Sequence, residues 1–436
     1  MANSNIFCNV PWTNVHLYWD GGFGVCCSER SRPYAEDEWQ QYNIKNHTVQ
    51  EWYNLSPMKK IRSQMLGDQK IIGCQACYGQ ENNGYESRRI KENFKSVIFT
   101  RQAFDRSYRD SNWFERFEST KDQDAPIDWH IDWGNECNLS CKMCNPNTSS
   151  MIAGKYKKWD LSFESRKNWT TDPVAWDNFI KSIDYAPIRR LHFMGGEPML
   201  SKRFKELVDY LISKKRNTDI SISFVTNGTL IEQSFIDKLK TFKSFNIEIS
   251  LESFGMNNHY IRQGLGDSTE LTVNNIDLLA SQQSESFQVV LRSVPQLLNI
   301  NNYDQYILRA WKSKLAVQGI PLIRPAYLAI NVLPLELRKT FIDRYDRVIE
   351  KIESEATTKF KTFTTGRDVS RLDIQLLNEA KSMKFMLNKP EPENVIELRE
   401  ELRSWLMRWD QEFKLNAFEF YPEYQQFLID IGYEAI

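Results

Sequence analysis

Between residues 121 and 330 the chain alternates short apolar runs with segments whose apolar residues recur at helical spacing. The runs Ile127–Trp133, Ile188–Met194, Ile220–Val225, Phe245–Leu251, Phe287–Val294 and Leu322–Ile330 read as strands. Trp176–Tyr185, Lys202–Lys215, Ile231–Phe242, Leu271–Gln283 and Tyr303–Gln318 read as the helices between them. Six strands joined by crossover helices predict an α/β fold with a parallel sheet, open or closed into a partial barrel. Ligands of such sheets gather at the carboxyl ends of the strands.

The flanking regions follow different patterns. Residues 1–120 open with the extended stretch His16-Leu17-Tyr18-Trp19, a turn at Asp20-Gly21-Gly22 and a return through Phe23 to Cys27, which predicts a hairpin. Trp52, Leu55, Met58, Ile61 and Met65 then predict a helix over Thr48–Leu66. Residues 331–436 are charged and helical in pattern, with Glu336–Glu353, Leu372–Met386 and Asn394–Phe413 as the main segments. The stretch Thr357–Thr365 and the Lys389-Pro390-Glu391-Pro392 turn read as connections. The expected division is therefore 1–120, 121–330 and 331–436, in keeping with ~100–200 residues per domain.

Composition narrows the function classes. Hydrophobic residues at 41% and charged residues at 26% suit a globular chain, and no apolar run reaches the ~18 residues of a membrane span. Met1 to Val10 lacks a basic segment followed by an apolar one, so the cytoplasm is the expected location. Lys plus Arg at 56 balance Asp plus Glu at 57, which gives no support to a nucleic-acid or anionic-membrane partner. Eight cysteines remain to be explained, and they cluster. In a reducing compartment clustered thiols point to metal rather than to disulfides.

Directly after the first predicted strand stands Glu136-Cys137-Asn138-Leu139-Ser140-Cys141-Lys142-Met143-Cys144, a C-x3-C-x2-C loop. Three thiolates at this spacing can wrap one [4Fe-4S] cubane and leave one iron for an outside chelator. Zinc would want a fourth ligand, and no His follows within the next dozen residues. The loop and its position resemble the signature of the radical S-adenosylmethionine (SAM) superfamily, whose fold is a (β/α)6 partial barrel.

The resemblance continues along the chain. Gly195-Gly196-Glu197-Pro198 is similar to the family's motif for the SAM amino group; glycines let carbonyls approach an ammonium and Glu197 adds a charged acceptor. Thr226-Asn227-Gly228-Thr229 resembles the segment that shapes the SAM pocket, although Asn-Gly alone is a turn signal. Ser250 and Glu252 match ribose-contact positions, with Glu252 standing where Asp is usual and Phe254 inserted. Arg262, in Tyr260-Ile261-Arg262-Gln263-Gly264, matches a partner for the SAM carboxylate, a role that suits a planar guanidinium. Val294 matches the apolar position beside the adenine, and Met143 stands where an aromatic is common, with core packing the equal alternative. His130 and His192 read as satisfied core residues within strands.

Cys8, Cys26 and Cys27, and Cys74-x2-Cys77 form a second constellation, followed by Glu81 and Ser87-Arg88-Arg89. Four thiolates from a hairpin and a helix end can close around zinc or around a cluster. The stretch resembles a twitch domain, a small α+β relative of the SPASM domain that holds one auxiliary [4Fe-4S] cluster, here placed before the barrel. The match of Asp20-Gly21-x4-Cys26 to the family's step implies Cys26 as ligand beside Cys8, Cys74 and Cys77, with Cys27 a spare or alternative. The aromatic load of Trp12, Tyr18, Trp19 and Trp52 is most simply the core of that small region.

The resemblance implies reductive cleavage of SAM to a 5′-deoxyadenosyl radical that abstracts hydrogen from a peptide or a small molecule derived from a sugar or amino acid. It also implies an auxiliary cluster relaying electrons and a reductant such as flavodoxin or ferredoxin, while the pattern of residues 331–436 adds a helical carboxy-terminal extension to the fold. RNA modification and a non-enzymatic Fe–S or zinc-binding role are the competing readings.

Overall fold

The computed structural model describes residues 6–26, 41–82, 87–93, 122–163, 168–264, 266–355 and 371–435. Its chain divides into two compact units: Met1–Glu136 with Ser162–Phe224 and Thr241–Lys243, and Cys137–Leu161 with Val225–Lys240 and Ser244–Ile436.

In the first unit the strands β1 (Asn14–Leu17), β2 (Phe23–Gly24), β3 (Asp128–Asp132), β5 (Arg190–Met194) and β6 (Ser221–Thr226, its last two residues in the second unit) lie in the order β2-β1-β3-β5-β6. The expected hairpin is present: β1 and β2 are antiparallel, and Gly21 turns the chain at φ +83 while its N–H donates to the Tyr18 carbonyl. Its partner on the other side was not foreseen. β1 pairs in parallel with β3, Val15 opposite Trp129 and Leu17 opposite Ile131.

The expected helix over Thr48–Leu66 is two helices, Val49–Tyr53 and Ser56–Leu66. Thr48 and Glu51 form a reciprocal capping box at the first, and Pro57 sits in the first turn of the second, where a missing N–H is tolerated. On the sheet, alternation sends Trp129, Leu191 and Phe193 to one face, packed by Trp133, Phe179 of the helix Pro173–Tyr185 and Phe204 of the helix Lys202–Ser213. Fully burying each such side chain contributes about 1.5–3 kcal/mol.

In the second unit β7 (Ser244–Ser250), β9 (Phe287–Ser293) and β10 (Ala316–Gly319) run parallel in that order, and β4 (Ser140–Cys141) pairs antiparallel with β8 (Arg262–Gln263). The alternation of strand and helix and the parallel pairing are as expected, with one correction. Leu322–Ile330 is not a strand but a loop containing the short 3-10 turns Ala326–Leu328 and Ile330–Val332; the sixth strand is Ala316–Gly319, inside the segment read as helix. Pro325 removes a ladder donor from the later run, which Pro321 directly precedes, and the helix Tyr303–Lys312 ends before Lys314 at φ +55.

The carboxy-terminal region is helical as predicted, with Leu335–Glu355, Arg371–Leu387 and Val395–Phe413. The buried Arg338 guanidinium ties the first to the end of the second by donating to the carbonyls of Leu333 at 2.8 Å, Leu387 at 2.5 Å and Lys389 at 2.6 Å. The connection expected at Thr357–Thr365 lies outside the described residues. Among the described residues no helix is long and apolar enough to cross a membrane.

Candidate functional site

In the second unit the loop that begins at Cys137 is held at several points. Ser150 Oγ accepts from the Cys137 N–H at 3.1 Å, and Ser149 Oγ donates to the Leu139 carbonyl at 3.0 Å, so the helix Ser150–Lys158 anchors both ends of the first turn. The Lys142 N–H donates to Ile261 O, and Cys141 lies opposite Arg262 in the β4–β8 pair. This register brings Arg262 among the thiols. Burial works against the guanidinium charge, yet Cys141, Glu252, Cys144 and Cys137 outweigh it and hold Arg262 above its ordinary range. Cys141 and Cys144 share a hydrogen bond that lowers the Cys144 pKa and raises that of Cys141, and Arg262 pulls both down.

Glu252 is fully buried, which raises its pKa; Arg262 and local donors oppose that rise. Its Oε1 accepts from Arg262 at 3.0 Å. Its Oε2 accepts from Ser293 Oγ at 2.9 Å, the Val294 N–H at 2.8 Å and Asn299 Nδ2 at 3.3 Å. Glu252, Arg262 and Val294 are thus one bonded group, while Ser250 ends β7 half-buried and Met143 is half-buried in the loop.

Thr226 and Asn227 join the same loop. Asn227 Nδ2 donates to Asn138 Oδ1 at 2.7 Å, Asn138 Nδ2 donates to Thr229 Oγ1 at 2.9 Å, and Thr226 Oγ1 accepts from the Gly228 N–H at 3.1 Å. Sequence reasoning singled out neither Asn138 nor Asn299, both amides that rigidify acidic or thiol-bearing neighbours. It also missed Lys142 as more than a spacer. The Lys142 ammonium is buried 3.4 Å over the Tyr260 ring and 3.6 Å from Asp410, and burial brings its pKa to about 7 against the pull of Asp410. Nothing in the local motif signals Asp410, which lies far along the chain in the helix Val395–Phe413.

In the first unit Gly195 and Gly196 adopt φ +83 and +58. A Cβ on Gly196 would stand 2.5 Å from Glu136 O, so no other residue fits. The Glu197 N–H donates to that same carbonyl at 2.6 Å, and the buried Glu197 carboxylate accepts from the Met199 N–H at 3.1 Å.

The amino-terminal thiols also converge in the first unit. Cys8, Cys26, Cys74 and Cys77 line one cavity, with Arg88 and Arg89 completing its wall. Burial pushes the Cys8 thiol well up, and Cys26, Cys74 and Cys77 add to the rise; burial likewise brings Cys74 to about 12. Cys27 lies outside the described residues. Among the described residues no three His, Cys, Asp or Glu side chains close tightly enough to hold a single metal ion.

Residues 131–294 match the family model of the Radical SAM superfamily. Among curated relatives, GTP 3′,8-cyclase of Syntrophomonas wolfei is 27% identical over 27% of this chain and 32% of its own. The antilisterial bacteriocin subtilosin biosynthesis protein AlbA of Bacillus subtilis is 26% identical over 36% of this chain and 31% of its own. The chain thus matches about a third of the length of these relatives. The crystal structure of Streptococcus suis SuiB bound to S-adenosylmethionine aligns at a TM-score of 0.37 and 14% identity, over 62% of this chain and 58% of that one.

Proposed function

We propose that this chain, whose residues 131–294 match the Radical SAM superfamily, is an enzyme that cleaves SAM reductively at a [4Fe-4S] cluster held by Cys137, Cys141 and Cys144. The observation that carries the reading is the β4–β8 register that sets Cys141 of this loop opposite Arg262, itself held by Glu252 at 3.0 Å, with all three thiols close enough to act on the guanidinium charge. Soft thiolates suit iron, and three of them leave one iron of a cubane open. Bound there, the cluster supplies the electron that breaks the sulfonium and yields a 5′-deoxyadenosyl radical able to take hydrogen from a substrate.

The residues divide the remaining work. Arg262 presents a planar fork to the SAM carboxylate, and Glu252 fixes its orientation. Gly195 and Gly196 leave room for the amino group to approach backbone carbonyls, with Glu197 the nearby acceptor. Asn138 and Asn227 hold the loop and the Thr226–Thr229 turn at a constant spacing. Ser250 and Glu252 take the ribose side and Val294 and Met143 the adenine side.

The four thiols of the first unit hold the auxiliary [4Fe-4S] cluster. Their lining of a cavity supports a cubane, which takes one thiolate per iron, over a zinc ion that draws sulfurs to ~2.3 Å. The substrate class is a peptide or a small molecule, as the names of the relatives support, and a flavodoxin or ferredoxin is the reductant.

The test is anaerobic reconstitution with SAM and dithionite. The wild type should yield 5′-deoxyadenosine and hold about eight irons per chain, and a Cys137/Cys141/Cys144→Ala variant about four irons and no product. Wild-type protein fully loaded with iron that leaves SAM intact would overturn the assignment.

A further inference from the structure

Within the second unit the turn between Cys141 and Cys144 is fastened from two sides. On its backbone side the Lys142 N–H donates to the Ile261 carbonyl at 2.9 Å, one residue before Arg262. On the other side the buried Lys142 side chain ends 3.6 Å from Asp410 Oδ1 and 3.4 Å over the Tyr260 ring, with the Trp409 ring at 5.8 Å. Asp410 is itself pinned. Its Oδ2 accepts from the Tyr433 hydroxyl at 2.6 Å and from the Ala417 N–H at 3.0 Å, which leaves Oδ1 to face Lys142.

The helix that carries Asp410, Val395–Phe413, grips the loop a second time. Its Glu412 pairs with Lys155 at 2.5 Å and Lys158 at 2.7 Å, both on the helix Ser150–Lys158. Trp409 stands edge-on to Trp159 with ring centroids 5.0 Å apart, and Trp405 meets Tyr156 at 5.7 Å. The start of that gripped helix holds Cys137 through Ser150 and Leu139 through Ser149. The family match ends at residue 294, so the gripping helix lies outside it.

We infer that Asp410 is a positioning residue for SAM cleavage, acting through Lys142 to fix the Cys141–Cys144 turn beside Arg262. The inference rests on the reading of Cys137, Cys141 and Cys144 as the cluster site. Stability alone does not explain a wholly buried ion pair, because desolvating two charges costs about as much as their attraction returns. What such a pair supplies is one preferred arrangement. Removing one partner leaves the other charge buried without compensation, so the turn that carries Lys142 loses its fixed place. Small displacements matter here, since the reacting groups on the two sides of the turn must meet in one geometry.

The experiment compares the full chain, reconstituted anaerobically, as wild type, Asp410→Asn, Lys142→Met, the two combined, and Arg399→Gln. Iron content, the electron paramagnetic resonance of the reduced protein with and without SAM, and 5′-deoxyadenosine formation are measured on each. Asp410→Asn should alter the resonance of the Cys137 centre, weaken its response to SAM and cut 5′-deoxyadenosine formation by roughly a hundredfold. Loss of iron from that centre in folded protein is the same result. Lys142→Met should reproduce this signature, and adding Asp410→Asn to it should cost nothing further. Arg399 sits on the same helix but bonds the Val332 carbonyl at 3.0 Å and Glu391 at 2.9 Å, so Arg399→Gln should lower the unfolding midpoint in urea and leave the resonance unchanged. If Asp410→Asn does not fold, Tyr433→Phe unpins Asp410 without removing its charge and should give a smaller shift of the same kind.

Iron-loaded Asp410→Asn with the wild-type resonance and SAM response overturns the inference alone. So do additive losses in the combined variant, an equal spectral change in Arg399→Gln, or, where Tyr433→Phe stands in, its unchanged resonance. Wild-type iron that survives Cys137/Cys141/Cys144→Ala undiminished overturns the cluster reading and the inference with it.

Discussion

The two cysteine sites are built on opposite plans. At Cys137 the thiols lie in one short stretch, so one loop sets their spacing and the rest of the second unit supplies restraints: Ser149, Ser150, Asn227 and the β8 register. In the four-thiol cavity the thiols come from Cys8, from the hairpin end at Cys26 and from the turn and helix at Cys74 and Cys77. A contiguous site keeps its shape if distant parts loosen, whereas a dispersed site exists only when its unit is folded. The neighbours differ too. The carboxylate partner of Arg262, Glu252, is fully buried, whereas at the other site Arg89 pairs with the half-buried Glu81.

That contrast can be broken at its largest joint first. Cys141→Ala should abolish 5′-deoxyadenosine formation and remove about half the iron. Cys77→Ala should remove the other half while SAM cleavage persists; loss of both centres from Cys77→Ala would mean the sites do not fold separately. Gly196→Ala comes next. The positive φ costs ~1–2 kcal/mol and the collision with Glu136 O adds to it, so both the unfolding midpoint in urea and SAM affinity should fall.

Asn227→Ala removes the donor to Asn138 Oδ1 and should cost ~1–2 kcal/mol, read as poorer iron occupancy of the Cys137 centre with the other unaffected. The smallest effect is a pH slope. His130 stays neutral well below its ordinary range, chiefly through burial and then Arg88, His192, Arg190 and His16, with Asp128 at 3.6 Å not enough to reverse it. Below about pH 6.5 the unfolded chain binds a proton that the native state refuses, so stability drops as pH falls. His130→Gln should flatten that drop between roughly pH 6.5 and 5 in urea titrations; an unchanged slope would remove His130 from the account.

What could be read in advance follows from the range of the forces. The strands β3, β5, β6, β7 and β9 were legible within one or two residues, because each is an apolar run bounded by turn residues. β10 was not, since its four residues Ala316–Gly319 continue an amphipathic helix without a local signal and Leu322–Ile330 looks more strand-like until Pro325 is weighed. The Cys137 loop and the glycine pair were legible because their chemistry is local. Asp410 under Lys142, Asn299 on Glu252 and His130 on Arg88 were not, being partners that only the fold brings together. The histidines in β3 and β5 read as satisfied core residues, and each has polar neighbours, but their alignment with His16 depended on the parallel pairing of β1.

That pairing bears on how the molecule can be cut. With Asn14–Leu17 zipped along Asp128–Ile131, the leading segment is a rung of the same ladder as the family-matched core. Trimming the chain to begin near residue 121 would bare one side of β3, leaving its amide and carbonyl groups open to any passing strand. Trimmed versions should therefore self-associate, and probing the two thiol sites one at a time calls for point substitutions rather than shorter proteins.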